Sequence, residues 1–338
     1  MVLHQTLFSI NADWNDIPMP HLQELSITTT EIGGTSPGAG LIVQCPNLRI
    51  LRWSAPASLE PGCFKEIVKA CPRLEVIELQ RMALPDDVIA MILDSMKASV
   101  TEVIITGEEH VASGTDLGFS IEAFRSLERR HFSTLVVLDV GPENFRVDSA
   151  SLLQVLYSCP NLRQLRACRI WAEDINDGHQ QQQQQQQRRR GNWACRGLEV
   201  FEVKISVSLG PLVSSIHEAV FCQFAALPRL RVLHIGGRAR YKLKRHQLCI
   251  KEGGGLSLRL EHGMGHVAGL ARLESVSVGR FAQELRREDV NWMKRYWVGL
   301  RALQGELHPR REVSEAIRKA LTDPREDMKT MLDRLGFS

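Results

Sequence analysis

The feature that most limits what this chain can become is a period. Leu22 in LQELSI, Leu48 in LRILRW, Leu74 in LEVIEL and Val100 in VTEVII follow one another at steps of 26 residues. The pattern continues at wider steps of 27 to 43 residues, at Leu135 in LVVLDV, Leu162 in LRQLRA, Leu198 in LEVFEV, Leu230 in LRVLHI, Leu273 in LESVSV and Leu300 in LRALQG. Most copies carry apolar residues at the first, fourth and sixth positions; LRALQG, with Gly305 at the sixth, is the weakest. The fourth and sixth alternate, so they point to one side of a short strand while the residue between them faces the other way. A strand this short cannot bury its own apolar side, and stacked neighbours must complete the core.

Parallel strands need long crossovers, and the sequence fills them with helical segments. PGCFKEIVKAC at 61–71 places Phe64, Ile67, Val68 and Cys71 on one stripe, and LPDDVIAMILDSM at 84–96 does the same with Val88, Met91, Ile92 and Met96. Pro61 and Pro85 suit helix entry, and Asp86 and Asp87 favour the positive N-terminal end. Further helices are predicted at 120–130, 149–158, 212–226 and 288–298. The expected organisation is one irregular solenoid over 1–310, with LFSINADW in an incomplete first repeat. A helical cap over 311–338, built from REVSEAIRKAL and EDMKTMLDRLGF, would hide the last repeat's apolar edge. Two segments interrupt the spacing. Residues 172–196 hold an unbroken glutamine run, 180–187, followed by Arg188, Arg189 and Arg190, and read as a disordered surface insertion. A long basic and Gly-rich insertion near 236–270 carries Arg238, Arg240, Lys242, Lys244 and Arg245 around Tyr241, as an exposed edge strand or hairpin would.

CPNLRILRW (45–53), CPRLEVIELQ (71–80), CPNLRQL (159–165) and the variant LPRLRVLHI (227–235) together resemble the leucine-rich-repeat family. The likeness is to the longer cysteine-containing repeats of ribonuclease-inhibitor-like proteins and F-box/LRR substrate receptors, and with weaker copies it covers residues 20 to 306. It implies an α/β horseshoe, with short parallel strands on the concave face and helices on the convex face. It also implies that Cys45, Cys71 and Cys159 are small buried side chains ending a convex helix beneath the next strand. The replacement of that cysteine by Leu227 agrees with an apolar packing role. The F-box/LRR side of the resemblance implies an adaptor and a cullin as partners, in a ubiquitin ligase complex. No helical F-box is read ahead of Leu22, and the asparagine usual at the downstream bend is mostly missing.

Composition narrows the function. Hydrophobic residues at 43% and charged residues at 24% suit a folded chain. MVLHQTLFSINADW has no basic region leading into an apolar run, and no stretch reaches the roughly 18 uninterrupted apolar residues of a membrane span. Eight cysteines in a chain this long are ordinary, and the expected compartment is intracellular and reducing, cytoplasm or nucleus. No C-x-x-C occurs, His262 and His266 lack the glutamate of HExxH, and Gly253–Gly255 lack the GK[ST] of a phosphate loop. No motif selects a nucleophile or a carboxylate pair, so no metal, cofactor or catalysis is expected.

The outward strand positions are the candidate site. They are Glu24 and Ser26, Ile50 and Arg52, Val76 and Glu78, Glu102 and Ile104, then Asp139 beside Val137, Arg166 beside Gln164, Glu202 beside Val200, and His234 beside Val232. Ser275 and Ser277 continue the series. A mixed acidic, basic and apolar surface suits protein recognition, which makes the leading expectation a noncatalytic protein–protein interaction scaffold holding an unidentified protein on its concave face. The alternative lies in charge asymmetry. Residues 1–170 carry 14 Lys/Arg against 20 Asp/Glu, a net of −6, and 171–338 carry 28 against 19, a net of +9. Arg188–Arg190, the 238–245 cluster, Arg286/Arg287 and Lys294/Arg295 could make that half a nucleic-acid surface.

Overall fold

The computed structural model describes residues 2–5, 18–28, 37–54, 61–82, 84–107, 118–141, 144, 146–175, 192–208, 213–236, 254–279 and 281–322. LFSINADW, the glutamine run with Arg188–Arg190, the 238–245 cluster and EDMKTMLDRLGF all fall outside them. The chain divides into two compact units, Met1–Ser151 and Leu152–Ser338.

The first unit stacks β1 (Val2–Gln5), β2 (Glu24–Thr28), β3 (Ile50–Ser54), β4 (Val76–Gln80), β5 (Glu102–Thr106) and β6 (Val137–Asp139) in sequence order, all parallel. Helices Pro37–Val43, Pro61–Ala70, Asp86–Ser95 and Ile121–Arg130 make the crossovers. In the second unit β7 (Gln164–Trp171), β8 (Val200–Val207), β9 (Val232–His234), β11 (Ser275–Ser277) and β12 (Ala302–Gln304) are parallel neighbours, while β10 (Gly254–Gly255) lies antiparallel to β8. Helices Val213–Ala225, Arg287–Tyr296 and Arg311–Thr322 alternate with these strands, and Ser149–Ser158 runs across the boundary between the units. Each unit is an α/β solenoid of leucine-rich-repeat type.

The anchors behave as the period requires. Leu22, Leu48, Leu74, Val100, Leu135, Leu162, Leu198, Leu230, Leu273 and Leu300 are all buried. Burial then alternates along the strands, as in β2, where Leu25 and Ile27 are buried between Glu24, Ser26 and Thr28. Trp53 is 1% exposed and belongs to the core. The helix Asp86–Ser95 is rolled further than its apolar stripe suggested: Val88, Ile89, Ile92 and Leu93 are buried, and Met91 is only half-buried. The helix Ile121–Arg130 packs against it, and His131, just past that helix, lies 3.0 Å through Nε2 from Leu93 O. Val2–Gln5 forms a strand that no leucine anchor announces.

The cysteines answer to the turn before each strand. Cys45, Cys71 and Cys159 are buried, and each accepts at its carbonyl the amide of the anchor three residues on, Leu48 at 3.0 Å, Leu74 at 3.2 Å and Leu162 at 3.3 Å. Cys195, Leu227, Leu270 and Trp297 make the same bond to Leu198, Leu230, Leu273 and Leu300. A position shared by Cys, Leu and Trp is selected for apolar filling. Cysteine adds a weak donor: Cys45 Sγ donates to Leu41 O at 3.3 Å, and Cys71 Sγ reaches Ile42 O and Cys45 O at 3.4 Å. Each of these carbonyls already accepts a backbone amide, from Gln44, Cys45 and Leu48 in turn, so the thiols add second, weak bonds at the turn that leaves the helix. Burial pushes the Cys45 thiol up to about 11 and those of Cys71 and Cys195 to about 12, so all three are inert thiols at neutral pH.

Helix ends are also tied between repeats. Asp86, in the first turn of its own helix, accepts from Ser120 N at 2.7 Å, Ser120 Oγ at 2.6 Å, Glu122 N at 3.0 Å and Ala123 N at 3.3 Å. One carboxylate thus caps the next repeat's helix. In the second unit the bend after the strands is a stack of glycines. A Cβ on Gly236 would fall 1.8 Å from Val278 C, and one on Gly279 (φ +63°) would fall 2.1 Å from Gly236 O. Backbone meets backbone at this bend.

Both interruptions are partly built. The segment 172–196 begins with helical residues through Ile175 and ends with Trp193 and Cys195 fully buried. Trp193 stacks 5.9 Å from Phe201 and meets Phe224 edge-on at 5.4 Å, so the return of the chain is fixed by aromatic packing. Within 236–270, the described residues form two 3-10 helices, Leu260–His262 and Met264–Gly269, consistent with the glycines there. Gln283 and Asp289, both buried, hold this stretch through Leu258 N at 2.8 Å and Leu260 N at 2.8 Å.

Candidate functional site

The parallel registers set the outward residues in rows. In the first unit one row runs Glu24, Ile50, Val76, Glu102, Val137, and the next runs Ser26, Arg52, Glu78, Ile104, Asp139. Neighbouring strands lie about 4.8 Å apart, so these side chains touch. Arg52 is bracketed by acids: its guanidinium pairs with Glu24 on one side and with Glu78 at 3.1 Å on the other. Gln80 donates to Glu78 as well. Three of the residues read as separate recognition points are therefore one network. Ile50 and Ile104 are half-buried apolar positions flanking it. Val76 is only 7% exposed, because Ile50 and Glu102 close over it from both sides. Asp139 accepts the amide of Gly141 at 3.0 Å, which closes the turn after β6.

The second unit repeats the arrangement. Its rows are Gln164, Val200, Val232, Ser275, Ala302 and Arg166, Glu202, His234, Ser277, Gln304. Arg166 pairs with Glu202 at 3.3 Å, and Glu202 lies 3.7 Å from His234 Nδ1. His234 Nε2 is 3.1 Å from Ser275 Oγ. Carboxylate, imidazole and hydroxyl in that order invite comparison with a hydrolytic relay. Yet Arg166 already engages the carboxylate, and Ser275 N is committed to Arg231 O at 3.0 Å and cannot serve an oxyanion. The arrangement orders a polar surface.

A second ionic series lies one residue upstream of the strands. Arg49 pairs with Glu75 at 2.7 Å in the first unit. In the second, Arg163 pairs with Glu199 at 3.7 Å and Arg231 with Glu274 at 2.9 Å. Glu199 also acts on Arg231, and Arg301 on Glu274. The hydrogen bond from Arg231 holds the Glu274 carboxyl below the usual range. Its sequence signal is the alternation of Arg and Glu at the second position of LRI, LEV, LRQ, LEV, LRV, LES and LRA.

Among the described residues no three His, Cys, Asp or Glu side chains are grouped to hold a metal, and no helix is long and apolar enough to cross a membrane. His262 and His266 do not converge. The first lies edge-on to buried His217 at 5.0 Å, and the second pairs with Glu218 at 3.1 Å. Arg286 is tied to Glu261 at 3.1 Å and sits in the exposed rim of that segment.

No family model matches the chain, and no curated protein matches it. Solved structures do. A chain in the crystal structure of the yeast Rad7 and Elc1 complex is similar at 14% identity and TM-score 0.47, over 85% of this chain and 70% of that one. An internalin from Listeria monocytogenes is similar at 11% identity and TM-score 0.35, over 90% and 86%. A structure of TLR13 with ssRNA13 is similar at 12% identity and TM-score 0.33, over 91% and 47%.

Proposed function

We propose that this leucine-rich-repeat protein is a noncatalytic scaffold that binds another protein through the open strand faces of its units. The observation that carries the reading is the pair of side-chain rows on each unit. Charged residues there are held in place by their own neighbours, as Arg52 is by Glu24 and Glu78, and half-buried Ile50 and Ile104 stand beside them. Ordered polar groups around apolar anchors lose little freedom on binding, which favours a specific partner. The proposed contacts are Glu24, Ser26, Ile50, Arg52, Glu78, Glu102, Ile104 and Asp139 in the first unit and Arg166, Glu202 and His234 in the second. Val76 contributes to the floor.

The test is capture of partners by the intact chain, followed by direct binding of each purified candidate to the intact chain and to an Ile50→Arg/Ile104→Arg variant. The variant leaves Glu24, Arg52 and Glu78 in place but sets new arginines beside Glu24 and Glu78, so its melting temperature is measured alongside. The reading expects a partner whose binding is lost with the fold intact. A partner set indifferent to this variant and to Arg166→Ala/His234→Ala would overturn it. A narrower reading, in which the chain presents substrates to a ubiquitin ligase, is supported by the likeness of CPNLRILRW and its copies to F-box/LRR repeats. Recovery of an adaptor and a cullin in the same capture tests it.

A further inference from the structure

β7 breaks its own alternation. From Gln164 to Ala167 side chains alternate between the open face and the core, and strict alternation would turn Cys168 outward and Arg169 inward. Instead the register with β8 shifts between Ala167 and Arg169. Ala167 and Cys168 are both buried, and Arg169 emerges on the open side, in register with Lys204. A bulge of this kind adds one residue and re-aims those that follow.

The bulge sets two cations side by side on neighbouring strands, where like charges repel. Each is laid over an aromatic ring: Arg169 Cζ is 4.6 Å from the centroid of Trp171, and Lys204 Nζ is 5.1 Å from that of Phe281. Phe281 is itself seated on the backbone. It lies against Gly255, where a Cβ would come within 2.3 Å of its ring, and Gly255 pairs with Ser206 of β8, two residues beyond Lys204. The rings fix both side chains and partly strip them of water. Such cations bind anions more strongly than freely hydrated ones.

We propose that Arg169, Trp171, Lys204 and Phe281 form the docking point for an acidic, extended peptide segment of a partner protein, whose Asp or Glu side chains at alternate positions meet one cation each. This rests on the reading of the open face as a protein-binding surface. Charge complementarity names the occupant. Two single charges on strands about 4.8 Å apart can splay on their long side chains to meet carboxylates about 6.6 Å apart on alternate residues of an extended peptide. The Glu202 carboxylate in the adjacent row, 12% exposed beside Arg166, disfavours a further negative charge next to the two cations. The neutral residues between alternate carboxylates avoid this, and a continuous phosphodiester backbone does not.

The experiment uses the intact chain and fluorescence anisotropy with three labelled probes: an alternating Asp-Ser peptide, its Lys-Ser counterpart and an oligodeoxythymidine. The Asp-Ser peptide is expected to bind, and an Arg169→Gln/Lys204→Gln variant with unchanged melting temperature to bind it about tenfold or more weakly. An Arg169→Lys/Lys204→Arg variant keeps the charges and most of the binding. Equal binding by the Gln variant, no preference for Asp-Ser over Lys-Ser, or tighter binding of the oligonucleotide that the Gln variant abolishes would each overturn the proposal. A captured partner lost on Ile50→Arg/Ile104→Arg but indifferent to the Gln variant would sink this inference and leave the scaffold reading standing.

Discussion

Replacing Asp86 with alanine should loosen the joint between two repeats. The side chain accepts four hydrogen bonds, at 2.7, 2.6, 3.0 and 3.3 Å, from Ser120 and from the first turn of the helix Ile121–Arg130. Water can replace it at exposed Glu122, and Ser120 Oγ can swing back to cap its own helix. Ala123 is fully buried, so its amide depends on that swing of Ser120 Oγ, which exchanges a charged acceptor for a neutral one. Hydrogen bonds to a charged acceptor contribute ~1.5–3 kcal/mol and a helix cap ~0.5–2 kcal/mol. With partial replacement, the expected loss for Asp86→Ala is about 2–3 kcal/mol. For a unit of this size that lowers the melting temperature by roughly 4–12 °C. Asp87→Ala is the control: it occupies the same first turn without the cross-repeat bonds and should cost only ~0.3–1 kcal/mol through the helix dipole. Urea titration gives the free energies, and amide exchange at Glu122 and Ala123 locates the damage. Should Asp86→Ala and Asp87→Ala agree within about 0.5 kcal/mol, with exchange unchanged at those two amides, the bridging account is wrong.

Three further outcomes follow from single contacts. Burial, with His262 adding to it, holds the His217 imidazole down at about 4. The unfolded chain takes that proton near pH 6.5, so stability should be full above about 6.5 and fall by roughly 2–4 kcal/mol toward pH 4; urea midpoints that do not move between pH 7 and 5, or that move equally in His217→Gln, contradict this. Gly236→Ala should destabilise by about 3 kcal/mol, since its Cβ would land 1.8 Å from the backbone of Val278; a melting temperature matching the parent would refute the close approach. Native alkylation with mass-spectrometric mapping should modify exposed Cys222 while Cys45, Cys71 and Cys195 react only on unfolding; rapid labelling of Cys71 in the folded chain would undo the structural reading of these thiols.

The repeat was legible because it is written in large apolar residues at fixed intervals. A Leu at the first position and alternation at the fourth and sixth told which side chains enter the core, and Cys45, Cys71 and Cys159 marked the turns. Cys195 has the same place but no proline after it, so composition hid it. Val2–Gln5 forms a strand through pairing with β2, a long-range contact that VLHQ does not advertise. The outward rows were legible as positions but not as interactions. Arg52 meets Glu24 and Glu78 only because consecutive repeats are in register, and nothing local in LRILRW states that. Arg169 was harder still. Its outward turn depends on a bulge at Cys168, and its neighbour Phe281 comes from a loop more than one repeat away.

The alternation of Arg49 with Glu75, and of Arg163, Glu199, Arg231, Glu274 and Arg301, bears on how such a chain can grow. A single repeat copied in tandem would set arginine beside arginine or glutamate beside glutamate at this edge. A copied pair would preserve every contact. Repeats here carry a polarity of kind as well as of direction, like tiles of two colours laid in turn. Among the repeats that carry Arg or Glu here, unlike those of Gln23, Thr101 and Val136, the smallest copied insertion that avoids a clash of charge is therefore two repeats long.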